Sequence, residues 1–388
     1  MSDSWQEHWV LPARLALGTA SALGLARFAY GLLVPAMRSE LHWSLAQAGA
    51  LTTANGVGYL LGAIASALVA RWLGVTATFR LGMVVTAAAL AATGASSSYP
   101  VLLLTRAVAG LSGALVFITG GVIASHAAAR ARSAAPLAIY FSGAGLGIAV
   151  SGVFIPPVLA GDPGRWPLVW AALGAGAVLA TVISWTAARG PSEISTTANG
   201  LDLASLARLW PVTGAYLLFA AGYIAYITFL SAYLAEHHAS VVQEALTWAL
   251  LGLAAVVAPV LWSRPIGTWR GARALATALA VIGAASLIAL VSATPAAVTL
   301  SAIGYGASFL AVPAAVTRAV QEIIPPADWT RALATFTIVF AAGQTAGPYL
   351  AGALADRYGA GATLAWTAAL CAAAAALALL TPSRSRQR

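Results

Sequence analysis

The sequence predicts an all-α membrane protein whose twelve transmembrane helices form two pseudo-symmetric six-helix bundles. The first observation is composition: 60% of the 388 residues are hydrophobic, 8% are charged and the mean hydropathy is +0.85. Soluble domains carry roughly 25% charged residues, so this chain lacks the polar surface that water requires. The second observation is a series of apolar runs, each close to the about 20 residues that a bilayer crossing needs. The third is a long polar connector that divides these runs six and six.

The apolar runs define the elements in chain order. We predict crossings at 12–35, 46–70, 79–97, 101–125, 134–158, 166–187, 210–234, 242–262, 272–292, 295–317, 331–354 and 361–381. Nothing alternates with a period of two residues, as a transmembrane β-barrel would require. The runs predict an N-terminal bundle at 1–188, a cytoplasmic linker at 189–209 and a C-terminal bundle at 210–388.

Arginine sets the expected orientation, because the chain contains no lysine. An even number of crossings places both termini on one side, here called the terminal side. Fifteen arginines lie on that side, and only Arg38, Arg165 and Arg357 lie on the opposite side. Since positive loops stay in the cytoplasm, we expect both termini to be cytoplasmic. The arginines are spread over many short loops, so the net charge of +9 indicates lipid contact and no nucleic-acid partner.

Weak internal similarity accompanies the six-plus-six division. Gly143 and Gly147 in the fifth run recur as Gly343 and Gly347 in the eleventh, an offset of 200. Glycines four residues apart let helix backbones approach closely, so we predict that both runs pack against the opposite half and permit its rocking. Pro348 lacks an amide hydrogen and is predicted to bend the eleventh run.

Several segments resemble the major facilitator superfamily of secondary transporters. The fourth run contains "LLLTRAVAGLSGA", similar to a fourth-helix motif of that family, and the eleventh contains "GQTAGPYLAG", similar to a glycine–proline motif of its exporters. "RFAYGLLVPAM" in the first run and "GQTAGPYLAGALADRYG" in the eleventh most resemble the bacterial YbfB/YjiJ-type branch. The resemblance covers nearly the whole chain. It implies alternating access around a cavity lined by the first, fourth, seventh and tenth helices.

The loop after the second run departs from the gating motif of that family. The motif's aspartate is missing from "ALVARWLGVTATFR", where Arg71, Gly74 and Arg80 are the matching residues. A "GALADRYG" segment, which contains Asp356 and Arg357, instead follows the eleventh run on the opposite side. We therefore expect Arg71 and Gly74 to act in gating on the terminal side, and Asp356 and Arg357 on the opposite side.

Two arginines lie inside apolar runs, Arg27 in the first and Arg106 in the fourth. A charge at a helix centre costs about 2.5–3.5 kcal/mol on insertion scales, so such residues usually face a bundle interior or a wet cavity. No acidic residue lies well inside a run, and guanidinium groups match carboxylates, so we predict that both arginines bind an anionic ligand. For Arg106 the alternatives are snorkelling to the surface or bonding to backbone carbonyls. Asn55 and Gln344 are expected to hydrogen-bond between helices.

Aromatic residues accompany the arginines on the same helices. The tyrosine three residues after Arg27 lies on the same helix face. An offset of 196 matches this arginine–tyrosine pair with two tyrosines in the seventh run. Such rings suit a small aromatic or amphipathic acid, although they also commonly pack against neighbouring helices. The rings predicted to contact a ligand are Tyr30, Tyr223, Tyr226, Tyr305 and Phe309.

The sequence favours a transporter over an enzyme. It has no nucleotide-binding glycine-rich loop followed by lysine, no metal-ligand cluster and no G-x-S-x-G elbow, so we expect no cofactor and no metal. We predict a monomeric secondary transporter of a small organic anion, in contact with the lipid bilayer. The alternative is a drug or metabolite exporter of the same fold, linked to protons. No deep carboxylate or histidine is evident for protons, so the coupling ion and the transport direction stay open.

Overall fold

The fold is built from long helices, and the structure is a computed structural model that describes residues 9–188, 203–269, 271–325 and 328–381. Twelve helices in these residues are long and apolar enough to cross a membrane, and the residues contain no β-strand. We number them α1 to α12: Leu11–Leu41, Leu45–Leu73, Val75–Gly94, Tyr99–Ala131, Ala135–Ala160, Pro163–Ser184, Trp210–Glu236, Val241–Thr268, Arg273–Val291, Pro295–Ile323, Arg331–Tyr358 and Gly361–Leu379. The predicted fold class is confirmed, and the chain is a multi-pass membrane protein.

Most helices extend beyond the predicted crossings. The fourth crossing was predicted at 101–125, whereas α4 has 33 residues. At 1.5 Å per residue this helix is about 50 Å long, against a hydrocarbon core of about 30 Å. Hydropathy identifies only the part of a helix that lies in the apolar core of the bilayer, so the polar ends of the helices were not predicted. Of the predicted linker, residues 189–202 lie outside the described residues, and Leu203–Arg208 forms a short helix before α7.

The glycines of α5 and α11 pack against their own halves of the molecule. A Cβ added at Gly143 would lie 2.0 Å from a carbonyl oxygen of α1, and one at Gly347 would lie 2.1 Å from a carbonyl oxygen of α7. Gly147 faces α1 and Gly343 faces α7 in the same way. The predicted packing of both helices against the opposite half is confirmed, since α5 packs along α8 and α11 along α2, but these four glycines do not form those contacts. Glycine spacing indicates that a backbone comes close, but it does not identify that backbone.

Other small residues join the two halves. Helix α5 packs along α8, and α2 packs along α11. A Cβ at Gly145 of α5 would lie 2.7 Å from the Gly252 carbonyl oxygen of α8, and one at Gly49 of α2 would lie 2.3 Å from the Pro348 carbonyl oxygen of α11. Backbones this close leave no room for larger side chains, so these seams are thin and tight.

Helices α1 and α7 meet at equivalent positions of the internal repeat. A Cβ at Gly31 would lie 2.1 Å from the Ile227 carbonyl oxygen, and the Arg27 side chain donates a hydrogen bond to Tyr223. Both pairs are separated by 196 residues, the offset that matches the first and seventh runs. In a parallel duplication, equivalent helices meet at a pseudo-two-fold axis along the membrane normal. The contact is what such a duplication predicts.

The two halves are closed against each other on the side opposite the termini. The backbone N–H groups of Leu45 and Ala46, at the start of α2, donate to the Asp356 carboxylate at 2.6 and 3.0 Å. Asp356 lies near the end of α11, so this contact joins the halves at the opposite surface. Helix N-termini attract negative charge, which favours the contact.

Two helices are interrupted beside the centre of the molecule. Helix α1 changes to a π-helix over Ala20–Phe28 and resumes as an α-helix at Tyr30. Helix α10 is broken at Leu310, three residues before Pro313. Proline lacks an N–H and its ring clashes with the carbonyl four residues earlier, here that of Phe309, which explains the break. π-Helical turns and broken helices commonly occur at functional sites.

Candidate functional site

A cavity of about 240 Å³ lies between the two halves and opens toward the terminal side. Its wall runs from Arg27, near the middle of α1, to Leu333 at the terminal-side end of α11. Residues of α2, α4, α7 and α10 complete the wall. Ligand pockets commonly measure about 300–1,000 Å³, so this one suits a small molecule.

Arg27 is the charged residue that lines this cavity among the described residues. Its side chain is 6% exposed. One terminal nitrogen, Nη2, donates to the Tyr223 hydroxyl at 3.2 Å and to Oε1 of Gln344 at 2.5 Å. The Nε–H group has no hydrogen-bond partner. Arg27 therefore lines the cavity while one of its donors, the buried Nε–H, is unused.

The Arg27 charge is stabilised by neutral groups. Its guanidinium carbon lies 5.2 Å from the centre of the Tyr59 ring and 5.8 Å from that of Phe28. Hydrogen bonds to a charged group contribute about 1.5–3 kcal/mol each, and cation–π contacts about 0.5–2 kcal/mol. These terms offset an insertion cost of about 2.5–3.5 kcal/mol without any carboxylate. The side chain is therefore stable in place while its positive charge is not neutralised.

Gln344 holds the Arg27 guanidinium from outside the cavity. It is fully buried in α11 and does not line the cavity. Because arginine only donates hydrogen bonds, the amide must turn its oxygen toward Arg27. The Tyr223 hydroxyl donates to the same oxygen at 3.3 Å, and the amide nitrogen Nε2 has no partner. Gln344 thus links α11 to α1, as expected for an interhelical hydrogen bond.

Arg106 does not line the cavity in this structure, although the sequence predicted that it binds a ligand with Arg27. Its side chain is fully buried between α4 and α1, where Nη1 donates to the carbonyl of Ala26 at the π-helical segment. The rings of Tyr30 and Trp170 flank the guanidinium at 5.0 and 5.2 Å. The structure therefore shows the alternative contact, with a backbone carbonyl. Nε and Nη2 have no hydrogen-bond partner.

The predicted aromatic residues divide into two groups. Tyr223 and Phe309 line the cavity. The hydroxyl of Tyr30 donates to the Ala48 carbonyl at 2.8 Å, toward the closed side of the molecule. The rings of Tyr226 and Tyr305 stack at 4.1 Å, and the Tyr305 hydroxyl donates to the Tyr223 carbonyl at 2.5 Å. None of these three tyrosines lines the cavity, and Tyr305 supports the wall through the Tyr223 carbonyl.

The aromatic character of the wall exceeds what the sequence predicted. Among the described residues, nine that line the cavity carry aromatic rings, and the sequence predicted only two of these as lining residues. A spacing of three or four residues on α7 and α11 is the signal that could have identified most of the others. The nine are Phe28, Tyr59, Phe117, Tyr216, Phe219, Tyr223, Phe309, Phe336 and Phe340.

The predicted gating residues lie at both surfaces of the membrane region. Gly74 forms the joint between α2 and α3 with a φ of 82°, a conformation that favours glycine. Arg71 is exposed in the last turn of α2. On the opposite side Asp356 bonds to α2, and the adjacent Arg357 is exposed. The Pro348 carbonyl lies at the seam between α2 and α11.

Comparisons with known proteins agree with this architecture. A crystal structure of a mutant of the nucleoside transporter NupG has a TM-score of 0.71 at 14% identity, covering 95% of this chain and 98% of that chain. NupG itself has a TM-score of 0.68 at 15% identity, covering 95% and 97%. A bacterial homolog of the human lysosomal transporter Spinster, in an inward-facing and occupied conformation, has a TM-score of 0.63 at 17% identity, covering 94% and 93%. Identities this low show the fold alone.

A comparison at the level of sequence families is more specific. No curated protein sequence matches the chain. A family model described as "Uncharacterised MFS-type transporter YbfB" matches residues 19–381, which is nearly the whole chain. The twelve helices, the cavity between matched halves and this match agree with one another. The chain belongs to the YbfB family of transporters in the major facilitator superfamily.

Proposed function

We propose that the protein moves a small organic anion across the bacterial cytoplasmic membrane by alternating access. The observation that carries the proposal is Arg27, a permanent charge on the cavity wall whose Nε–H lacks an acceptor. Among the described residues, no aspartate or glutamate lines the cavity to balance this charge. A carboxylate offers two acceptor oxygens to the forked donors of a guanidinium. A ligand with such a group completes the site.

The Arg27 contacts also suggest how ligand binding acts on the closed side. Arg27 belongs to the first half, whereas Tyr223 and Gln344 belong to the second, so these hydrogen bonds tie the halves together. A carboxylate adds the attraction between opposite charges to its hydrogen bonds with a guanidinium, which the neutral Gln344 amide does not. A bound carboxylate draws Arg27 away from Gln344, which weakens the tie and favours opening of the opposite side.

The arginine distribution supports an orientation for the cavity. If positively charged loops stay in the cytoplasm, the terminal side faces the cytoplasm and this structure is the inward-open state. The moving bodies are then the bundles at 1–188 and 210–388, joined by the linker at 189–209. The thin α5–α8 and α2–α11 seams support rocking of the two bundles against each other within one chain, so the transporting unit in this proposal is a monomer.

Arg106, Tyr226 and Tyr305 have structural roles in this proposal. Arg106 stabilises the π-helical segment of α1 through its bond to the Ala26 carbonyl. Tyr226 and Tyr305 hold the backbone behind Tyr223. The cavity wall has no carboxylate or histidine in the described residues, so these residues offer no site for a co-transported proton on the wall itself.

Uptake into proteoliposomes tests the proposal. A panel of radiolabelled monocarboxylates is offered to wild type, Arg27→Gln and the control Arg38→Gln, in which the altered arginine lies on α1 far from the cavity. We expect Arg27→Gln to reduce uptake at least about tenfold, because the lost charge-assisted bonds contribute about 1.5–3 kcal/mol. Arg38→Gln should transport as wild type does. Unchanged uptake by a monodisperse Arg27→Gln protein would contradict the proposal.

Export of uncharged aromatic compounds is a second candidate. The nine rings on the wall favour it, because they offer apolar contact to any flat molecule. In this case the Arg27 charge would not be needed. Transport of an uncharged aromatic compound that persists in Arg27→Gln, with no carboxylate transported by wild type, would favour this candidate.

A further inference from the structure

The α7 side of the cavity is a column of parallel rings. Tyr216, Phe219 and Tyr223 are three and four residues apart, so they share one face of the helix. The ring centres of Tyr216 and Phe219 are 6.3 Å apart with planes inclined by 4°. Those of Phe219 and Tyr223 are 4.8 Å apart with planes inclined by 18°. The three rings therefore present a common orientation to the cavity.

Two neighbouring helices add rings to this column, with planes inclined by 17° to 29° to those of α7. Phe340 of α11 lies 5.0 Å from Tyr216 and 5.5 Å from Tyr223, in both cases with planes inclined by 25°. Phe309, at the break in α10, lies 6.3 Å from Tyr223 with planes inclined by 17°. Offset parallel stacking is one of the preferred arrangements of aromatic pairs. A flat ring in the cavity can continue the stack, whereas a puckered ring cannot.

The other side of the cavity supplies rings and a single charge. Tyr59 and Phe117 come from the first half, with ring centres 6.4 Å apart. The Arg27 guanidinium lies over the Tyr59 ring, so the positive group and the ring faces are adjacent. Arg106, the other buried arginine, is enclosed behind α1 and has no access to the cavity. One negative charge on a ligand is balanced here, and a second would enter an apolar wall without a partner.

From these features we infer that the ligand is a planar aromatic monocarboxylate with one or two rings. The inference rests on the proposed transport of organic anions and narrows its substrate class. The carboxylate bonds to Arg27, and the ring system continues the parallel stack of α7. A saturated acid of the same size fills the cavity but does not stack. A dicarboxylate carries a second negative charge, which has no positive partner on the described wall of the cavity.

Equilibrium binding to the purified, full-length protein tests the inference. The probes are naphthalene-2-carboxylate and its saturated counterpart, decahydronaphthalene-2-carboxylate, measured by calorimetry in detergent. The saturated acid is the more hydrophobic of the two, so hydrophobicity alone would favour it. We expect the aromatic acid to bind at least about fivefold tighter, since ring pairs contribute beyond the buried area. A naphthalene dicarboxylate should bind more weakly than the monocarboxylate.

Variants separate this inference from the proposed function. Phe340→Leu removes one ring from the stack and should reduce the preference for the aromatic acid, whereas Phe154→Leu, at a side chain that is 67% exposed on the outside of α5, should not. Equal affinity of wild type for both monocarboxylates, or binding of neither, would overturn the inference. If both acids bind equally but Arg27→Gln abolishes their binding, anion transport stands and only the aromatic preference fails. If Arg27→Gln leaves both affinities unchanged, the proposed function itself fails.

Discussion

Arg27 is held by partners that a ligand can replace. The Gln344 amide and the Tyr223 hydroxyl are neutral acceptors, and a carboxylate accepts from a guanidinium more strongly than either does. The buried Nε–H group has no acceptor, so the present partners do not satisfy all the donors of the guanidinium. In the proposed function, Arg27 therefore combines anion binding with the link between the halves that its hydrogen bonds form.

The variant Gln344→Glu tests the exchange of partners. It places a carboxylate of the same shape beside Arg27, so a permanent internal anion competes with the ligand. We expect affinity for monocarboxylates to fall at least about tenfold, since a charge-assisted hydrogen bond contributes about 1.5–3 kcal/mol. Calorimetric titration measures the change. The control Gln344→Met removes the acceptor without adding a charge, and an equal loss in both variants would contradict this account.

Arg106 should influence stability more than ligand affinity. Arg106→Met keeps an apolar stem of similar length but leaves the Ala26 carbonyl without its donor. We expect unfolding free energy to fall by about 1–3 kcal/mol, the usual effect of an unsatisfied buried group. Thermal unfolding in detergent measures the loss. Monocarboxylate affinity should stay within about threefold of wild type in the folded protein, and a loss as large as that of Arg27→Gln would assign Arg106 to the ligand site.

The two arginines show what the sequence can and cannot identify at the residue scale. A charge within an apolar run is visible in the sequence, so Arg27 and Arg106 were both recognised. Their different surroundings depend on the π-helical segment of α1, which packs over Arg106 and carries Arg27 to the cavity. Hydropathy does not encode that segment. Arginines with the same sequence signal therefore have different environments.

Glycine contacts determine the packing of whole helices. Gly347 faces the Ala221 carbonyl, so Gly347→Ala would place a Cβ 2.1 Å from that oxygen. Overpacking of this kind costs about 1–3 kcal/mol, and we expect the apparent Tm in detergent to fall by several degrees. The control is Gly161→Ala, because a Cβ at Gly161 would meet nothing within 4 Å. Equal melting of the two variants would show that α11 and α7 are not in the described contact.

The contact between Asp356 and α2 makes a separate prediction about gating. Asp356→Asn removes the negative charge beside the α2 N-terminus. The attraction between such a charge and a helix terminus contributes about 0.3–1 kcal/mol at an exposed site. We expect the opposite side to open more often, by a factor of about two to five. Distances between spin labels at the start of α2 and at the end of α11, which meet on the side opposite the termini, would report this shift. Arg357→Gln, at the adjacent exposed residue, serves as the control and should leave the distance distribution unchanged.

Helix positions could be predicted from the sequence, and so could the packing of α5 and α11 against the opposite half, but the contacts of individual residues could not. All twelve crossings agree with the structure because about 20 apolar residues are required for each. Partner choice depends on which faces meet after insertion, and lipid tails are as apolar as leucine, so hydropathy carries no information about it. The glycines of α5 and α11 illustrate this limit, since their spacing was informative and their assigned neighbours were not.

At the scale of the whole molecule, the conformational state was the feature that could not be predicted from the sequence. Both states of an alternating-access protein have the same helices and differ by a few kcal/mol. The structure shows the opposite side closed by α1–α7 and α2–α11 contacts and a cavity open on the terminal side. Sequence offsets of 196 and 200 indicated two matched halves but not how they are tilted.

A reversible cross-link tests whether the halves must move apart for transport. The hydroxyl oxygens of Thr52 on α2 and Thr228 on α7 are 3.3 Å apart across the closed side. With Cys371 replaced by alanine, Thr52→Cys and Thr228→Cys should form a disulfide that locks this side. We expect oxidation to abolish uptake and a reductant to restore it, with no effect of oxidation on either single variant. Undiminished uptake by the oxidised, fully cross-linked protein would exclude rocking of the halves.

The most direct test of the central claim is a ligand-bound structure. Cryo-electron microscopy of the protein with naphthalene-2-carboxylate, bound to an antibody fragment for size, would locate the carboxylate group. The account predicts carboxylate oxygens about 2.8 Å from Arg27 nitrogens, with the Gln344 bond lengthened or broken. A ligand whose carboxylate lies away from an Arg27 that still bonds to Gln344 would contradict it.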